Sequence, residues 1–209
     1  MISFDQDGGM SMYFEHASVS TKRWTVLLAF LLLMGCGGSI ISDAANTLFY
    51  ENLEPFSITI YPLHVVRGQS IDHDPILAER LAGWLQEQSQ ALPFVAKDTI
   101  SVPIEWGVNQ ARMLRRSAET FSARISESAI ETEYALLVEI LSNPDESWVG
   151  GVHFYLVDQT GRIASAGLSN SHHQVFKDVE PQDREGGYRV LTGMLEASWG
   201  SKLVSVNAD

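Results

Sequence analysis

The sequence predicts an α/β (α+β) domain: one mixed sheet of about five strands with helices packed on it, in the order β-α-β-α-β-β-β-α. Three observations carry that expectation. "YALLVEIL", residues 134–141, is a nearly continuous apolar run, the pattern of a central strand buried on both faces. "VHFYLVDQTGRIASA", from Val152, reads as two strands closed by the turn "DQTGR". Two further stretches carry apolar residues at helical spacing. The chain has 209 residues, 45% hydrophobic and 19% charged, enough apolar surface for a real core in a single domain.

The elements follow in order. "FSITIYP" alternates Phe56, Ile58 and Ile60 against Ser57, Thr59 and Tyr61, which is the strand period. "LHVVRGQSIDHD" is read as a loop. A helix then begins where Asp74 can cap free amides and Pro75 fits the first helical position, and Leu77, Leu81, Trp84 and Leu85 form its apolar stripe. Gly83 inside that stripe predicts close packing on a sheet. "LPFVA", residues 92–96, is a short second strand. A long helix spans Asn109 to Ser128, with Leu114, Ala118, Phe121 and Ile125 on one face. In the central strand, Leu136, Val138 and Ile140 point one way and Leu137, Glu139 and Leu141 the other, so Glu139 needs a partner. The turn "SNPDES" leads into "WVGGVHFYLVD" and then "IASAGLS". A polar stretch, "NSHHQVFKDVEPQ", precedes a last helix carrying Tyr188, Leu191, Leu195 and Trp199. Glycines at 150, 151, 186 and 187 lack a phosphate-loop pattern and are read as bulge or turn formers.

The amino-terminal part carries a different signal. Trp24 to Met34, "WTVLLAFLLLM", follows Lys22 and Arg23 and precedes Gly35 and Cys36. Eleven residues are too few for a bilayer core, which takes about 20 in a helix, but they fit the apolar region of an export signal. Leu33-Met34-Gly35-Cys36 resembles the lipobox of bacterial lipoprotein precursors. That resemblance implies a signal peptide over residues 1–35 and an acylated Cys36 as the new amino terminus, anchored in a lipid bilayer. Cys36 is the chain's single cysteine, so no disulfide competes for it. "GGSIISDAAN" is small and polar and suits a tether, residues 36–52, before a globular domain over residues 53–205. Gly37 and Gly38 stand where an aspartate would retain such a protein at the inner membrane; the resemblance therefore implies the outer membrane, facing the periplasm.

Fourteen basic against 26 acidic residues give a net charge of -12, which argues against a nucleic-acid partner. Arg112, Arg115 and Arg116 have helical spacing and acidic neighbours, the pattern of a solvated helix face. Among residues that might do chemistry, His172 and His173 stand out on a loop with Asn170 and Ser171, while His73 lies between two carboxylates and His64 and His153 are scattered. A metal site needs three or four converging ligands, and adjacent histidines on extended chain point to opposite faces. No metal and no cofactor is expected. Ser169 or Ser171 beside His172 has no assignable acid partner, and G-x-S-x-G and H-E-x-x-H are absent. Trp106 and Trp148 are aromatic candidates for an interface.

The element order, the buried strand and the Asp-x-x-Gly turn, over Phe56 to Ala197, resemble a group of envelope proteins sharing a small α/β domain. The group includes the amino-terminal domain of the TolB translocation protein, the curli secretion lipoprotein CsgG and the LpoB-type activators of penicillin-binding proteins. The resemblance implies the fold and an envelope setting and carries over no individual functional residue. The long membrane-spanning hairpins of a secretion pore and a Pro-rich linker are absent from this sequence. The expectation is a non-enzymatic binding, assembly or regulatory module that engages another envelope protein or itself. The alternative is a metal-dependent or serine-type envelope hydrolase using the His172-His173 loop.

Overall fold

A computed structural model describes residues 43–52, 54–104, 109–200 and 202–203. The apolar run Trp24 to Met34, Cys36 and Trp106 lie outside the described residues. The elements are α1 (Asp43–Glu51), β1 (Phe56–Ile60), β2 (Leu63–Arg67), β3 (Ser70–Asp74), α2 (Pro75–Gln88), β4 (Ala91–Val95), α3 (Gln110–Glu127), β5 (Tyr134–Ser142), β6 (Val149–Asp158), β7 (Ile163–Ser169), α4 (Gln174–Val179) and α5 (Arg184–Trp199). The fold is α+β, as expected.

The sheet holds seven strand segments where about five strands were expected, and the pairing explains the difference. Central β5 has antiparallel β6 on one side. On its other side β1 runs parallel to its first residues and β2 parallel to its last. Thus β1 and β2 share one lane, interrupted at Tyr61-Pro62, where proline cannot donate to a ladder. Outside that lane β4 pairs parallel with β1, and β3 pairs antiparallel with β2. Seven segments therefore fill five lanes. The stretch expected as a loop, residues 63–74, is the β2–β3 hairpin, turning at Gly68 and Gln69 with Gly68 at φ +58°.

The strand alternation gives the sheet two dressed faces. Ile58, Ile60, Leu136, Val138, Ile140, Phe154 and Leu156 meet α1, α2 and α5 on one side. Ala135, Leu137, Tyr155 and Val157 meet Ala118, Phe121 and Ile125 of α3 on the other. Helices α2 and α3 start where the sequence predicts. Asp74 accepts from the Leu77 amide at 3.0 Å with Pro75 at the first turn, and Asn109 accepts from the Arg112 amide at 2.8 Å.

Four further expectations are corrected. Residues 43–51, placed in the tether, form α1, because Phe49 is buried against Phe56, Tyr134 and Trp199 in edge-to-face contacts. The globular part therefore includes Asp43–Glu51, ahead of residue 53. Gly83 does not pack on the sheet; an added Cβ would meet nothing within 4 Å. Gly186 and Gly187 are not turn formers but lie in the first turns of α5, where a Cβ on Gly187 would come within 2.6 Å of Ile140 Cγ2. That is the close helix–sheet approach assigned to Gly83. Finally, part of the polar stretch after β7 folds as α4, which buries Phe176. Gly150 is a bulge former as expected: Leu141 pairs with Gly151 and Ser142 with Val149, leaving Gly150 as the extra residue.

At the outer edge, Leu92 and Phe94 of β4 are 57% and 59% exposed. The Ala96 amide donates to the Ile60 carbonyl at 2.9 Å, so even-numbered residues of β4 bond inward. Pro93 lies on the other set, with its missing N–H on the side where no described strand pairs with β4.

Candidate functional site

Two features singled out from sequence, Trp148 and the His172-His173 loop, lie at one end of the sheet, where β2 and β5 finish and β6 begins. The turn between β5 and β6 is organised by one side chain. Asn143 Oδ1 accepts from the Trp148 amide at 3.0 Å, and Asn143 Nδ2 donates to Ser147 Oγ at 2.9 Å and to Asp145 Oδ1. The exposed Asp145 carboxyl is held below its usual range, chiefly by the Ser147 hydroxyl and amide. Glu146, in the same turn, adopts a left-handed backbone at φ +54°. Its carboxylate receives Arg184 in a fork at 2.8–3.1 Å and Arg67 Nη1 at 3.1 Å. Arg184 also reaches Asp74 Oδ2 at 3.1 Å. The turn is thereby pinned to the end of β2 and the start of α5.

The product of this scaffolding is the position of Trp148. Its side chain is 52% exposed, and its ring lies over Gly150, where an added Cβ would come within 2.6 Å of it. One indole face is thus supported by backbone. Beside it a cleft of about 320 Å³ runs past Gly68, Met113, Leu141, Pro144 and Gln110. A second depression that Trp148 also lines is bordered by Phe176, Lys177, Glu180 and Pro181.

Gln110, the first residue of α3, joins the parts. Its Nε2 donates to the Gly150 carbonyl at 3.1 Å and its Oε1 accepts from Asn170 Nδ2 at 2.6 Å. The loop carrying His172 and His173 is therefore tied to the Trp148 strand. Both histidines are exposed. His173 precedes the first residue of α4, with Nδ1 3.2 Å from the Asn170 backbone nitrogen, and the His172 amide donates to Asn170 Oδ1 at 3.0 Å. Ser169 is buried, and its hydroxyl meets no hydrogen-bond partner, so it forms no pair with His172. Among the described residues no three His, Cys, Asp or Glu side chains come together as metal ligands.

A second polar feature lies inside the sheet, and sequence reasoning missed it. Register puts His73, His64, Glu139 and His153 side by side across β3, β2, β5 and β6. His64, Glu139 and His153 are buried beneath the α3 side of the sheet. Tyr155 donates its hydroxyl to Glu139 Oε2 at 2.6 Å, and His153 Nδ1 lies 3.3 Å from the same oxygen. Burial, then the neighbouring carboxylate, pushes the Tyr155 hydroxyl well above its ordinary range. Among the described residues, Glu139 Oε1, His153 Nε2 and both ring nitrogens of His64 meet no hydrogen-bond partner. Burial lowers the His64 pKa to about 4; Glu139 pulls it up, His73 pushes it down, and the Ile100 backbone favours the charged form without meeting hydrogen-bond geometry. The only sequence signal for this row was a charged or imidazole side chain inside each of three apolar runs. Register, which is tertiary, brings them together.

Comparison with protein-family models gives no match, and comparison with curated proteins gives none either.

Proposed function

We propose that this chain is a lipid-anchored envelope protein, acylated on Cys36, facing the periplasm from the outer membrane, whose domain binds another envelope component beside Trp148. The observation that carries the binding reading is the half-exposed indole. A tryptophan left in water forgoes burial energy, and here an asparagine-organised turn, a network of two carboxylates and two arginines and a glycine platform hold it in one place. Fixed exposed aromatics of this kind supply interface hot spots, because little side-chain entropy remains to be lost on binding. Gln110 and Asn170 beside the ring already satisfy one another, so an incoming segment meets a formed surface.

The reading is tested by affinity capture of the full-length chain from detergent-solubilised envelopes, comparing the parent with Trp148→Ala and with Leu92→Ala. A partner retained by the parent and by Leu92→Ala and lost by Trp148→Ala supports the site. Equal retention by all three overturns it. The anchor is tested separately by metabolic labelling with a fatty-acid analogue, where label persisting on Cys36→Ser would refute acylation at that residue.

A further inference from the structure

We propose that the acylated chain stands with the α1 end of its sheet toward the bilayer and holds the Trp148 cleft away from it, so that its partner is met off the membrane surface. The inference rests on the proposed acylation of Cys36 and on the proposed Trp148 site.

The fold attaches the chain's entry and the cleft to opposite ends of the sheet. In α1, Phe49 packs on Phe56 and Tyr134, the first residues of β1 and β5, at ring distances of 5.6 and 5.3 Å. Asn46 Nδ2 donates to the carbonyl of Ala164 at 2.9 Å, and the Tyr50 hydroxyl lies 3.1 Å from Ser165 Oγ, both near the start of β7. These contacts lock α1 to one end. The cleft is built on the other, from Ser142 at the end of β5, Gly68 after the end of β2, and Gly150 in the first residues of β6. Eight strand steps from Tyr134 to Ser142, at about 3.3 Å each, separate the two by roughly 26 Å.

The chain available between anchor and fold is short. Residues 37–42 separate Cys36 from Asp43, and seven residue steps span at most about 25 Å even when fully extended. The tether thus holds the α1 end near the lipid and is no longer than the sheet itself. Charge decides between standing and lying. From Cys36 onward 12 basic and 23 acidic residues give a net charge of -11, so the chain is repelled by anionic headgroups, which disfavours spreading its length along the surface.

Two exposed residues mark the ends: Gln159, in the β6–β7 turn at the α1 end, and Gln69, in the β2–β3 turn at the cleft end. The test uses the full acylated chain, with Gln159→Cys or Gln69→Cys labelled by a maleimide dye. Each is reconstituted in phosphatidylethanolamine and phosphatidylglycerol vesicles carrying a headgroup acceptor. Energy transfer from position 159 is expected to exceed that from position 69 by about twofold or more, given the roughly 26 Å offset. Inserting about 20 Gly/Ser residues between Ser39 and Ile40 should erase the difference. Equal transfer, or more from position 69, overturns the orientation. A thioether-linked Cys36 takes up no maleimide, so dye on the chain without an added cysteine overturns the acylation itself, and the orientation with it.

Discussion

His64 makes the acid sensitivity of this fold a quantitative matter. The imidazole is 0% exposed, and neither nitrogen meets a hydrogen-bond partner among the described residues, so the neutral ring is the form the core tolerates. Its pKa falls from 6.5 to about 4 on folding, with burial the leading cause. Because the folded value is the lower one, the unfolded chain binds the extra proton between those two pH values. Stability is therefore complete above pH 6.5, declines as pH falls, and levels off below about 4. The full shift corresponds to about 3 kcal/mol, of which about 2 kcal/mol is expressed between pH 7.5 and pH 5.0. His64→Leu removes the titrating ring at similar volume while leaving every carboxylate in place. Urea titrations of both chains at the two pH values isolate the histidine, since acid losses from other groups are common to both. The parent should lose about 2 kcal/mol more than the variant. Equal losses would refute the argument that a neutral, unpartnered His64 is built into the core.

Three other perturbations follow from the packing. Leu137→Ala removes a fully buried side chain beneath α3 and should cost about 2 to 5 kcal/mol in denaturant titration; a loss under roughly 0.5 kcal/mol would make β5 peripheral. The paired changes Gly187→Ala and Gly83→Ala should have opposite signs. The first drives a Cβ to within 2.6 Å of Ile140 and should cost about 1 to 3 kcal/mol, whereas the second meets open space and should gain about 0.5 to 1 kcal/mol; melting points moving the same way would contradict this. Gly150→Ala should displace the Trp148 ring and change its emission, read as the difference from the matching Trp148→Phe chains, with little change in denaturation midpoint. An unchanged difference spectrum would show that the glycine does not support the ring.

What sequence reasoning recovered was local. Helix starts at Asp74 and Asn109 were legible because capping is decided within four residues, and β5 because burial on both faces leaves an unbroken apolar run. The β2–β3 hairpin was not legible. His64, Val65 and Val66 are all buried, which erases alternation in β2, while no residue of β3 is buried and Ile71 is its one apolar side chain. Helix α1 was hidden for a different reason: its neighbours are polar and small, and Phe49 gains its burial from Trp199, 150 residues away. The loop of His172 and His173 was placed correctly as a loop. Its link to Trp148 runs through Gln110, whose bond to Asn170 spans 60 residues and leaves no trace in composition.

The open side of β4 has a consequence for how copies of this chain can meet. A sheet edge recruits another strand by offering alternating donors and acceptors, and on this edge the middle donor is missing because Pro93 stands there. Chains crowded side by side cannot zip their sheets into a continuous ribbon across this edge, even though Leu92 and Phe94 give it an adhesive surface. Association there is confined to side-chain contact, which is weaker and readily undone. Pro93→Thr restores the amide, and with it a route from reversible stickiness to fibrous growth.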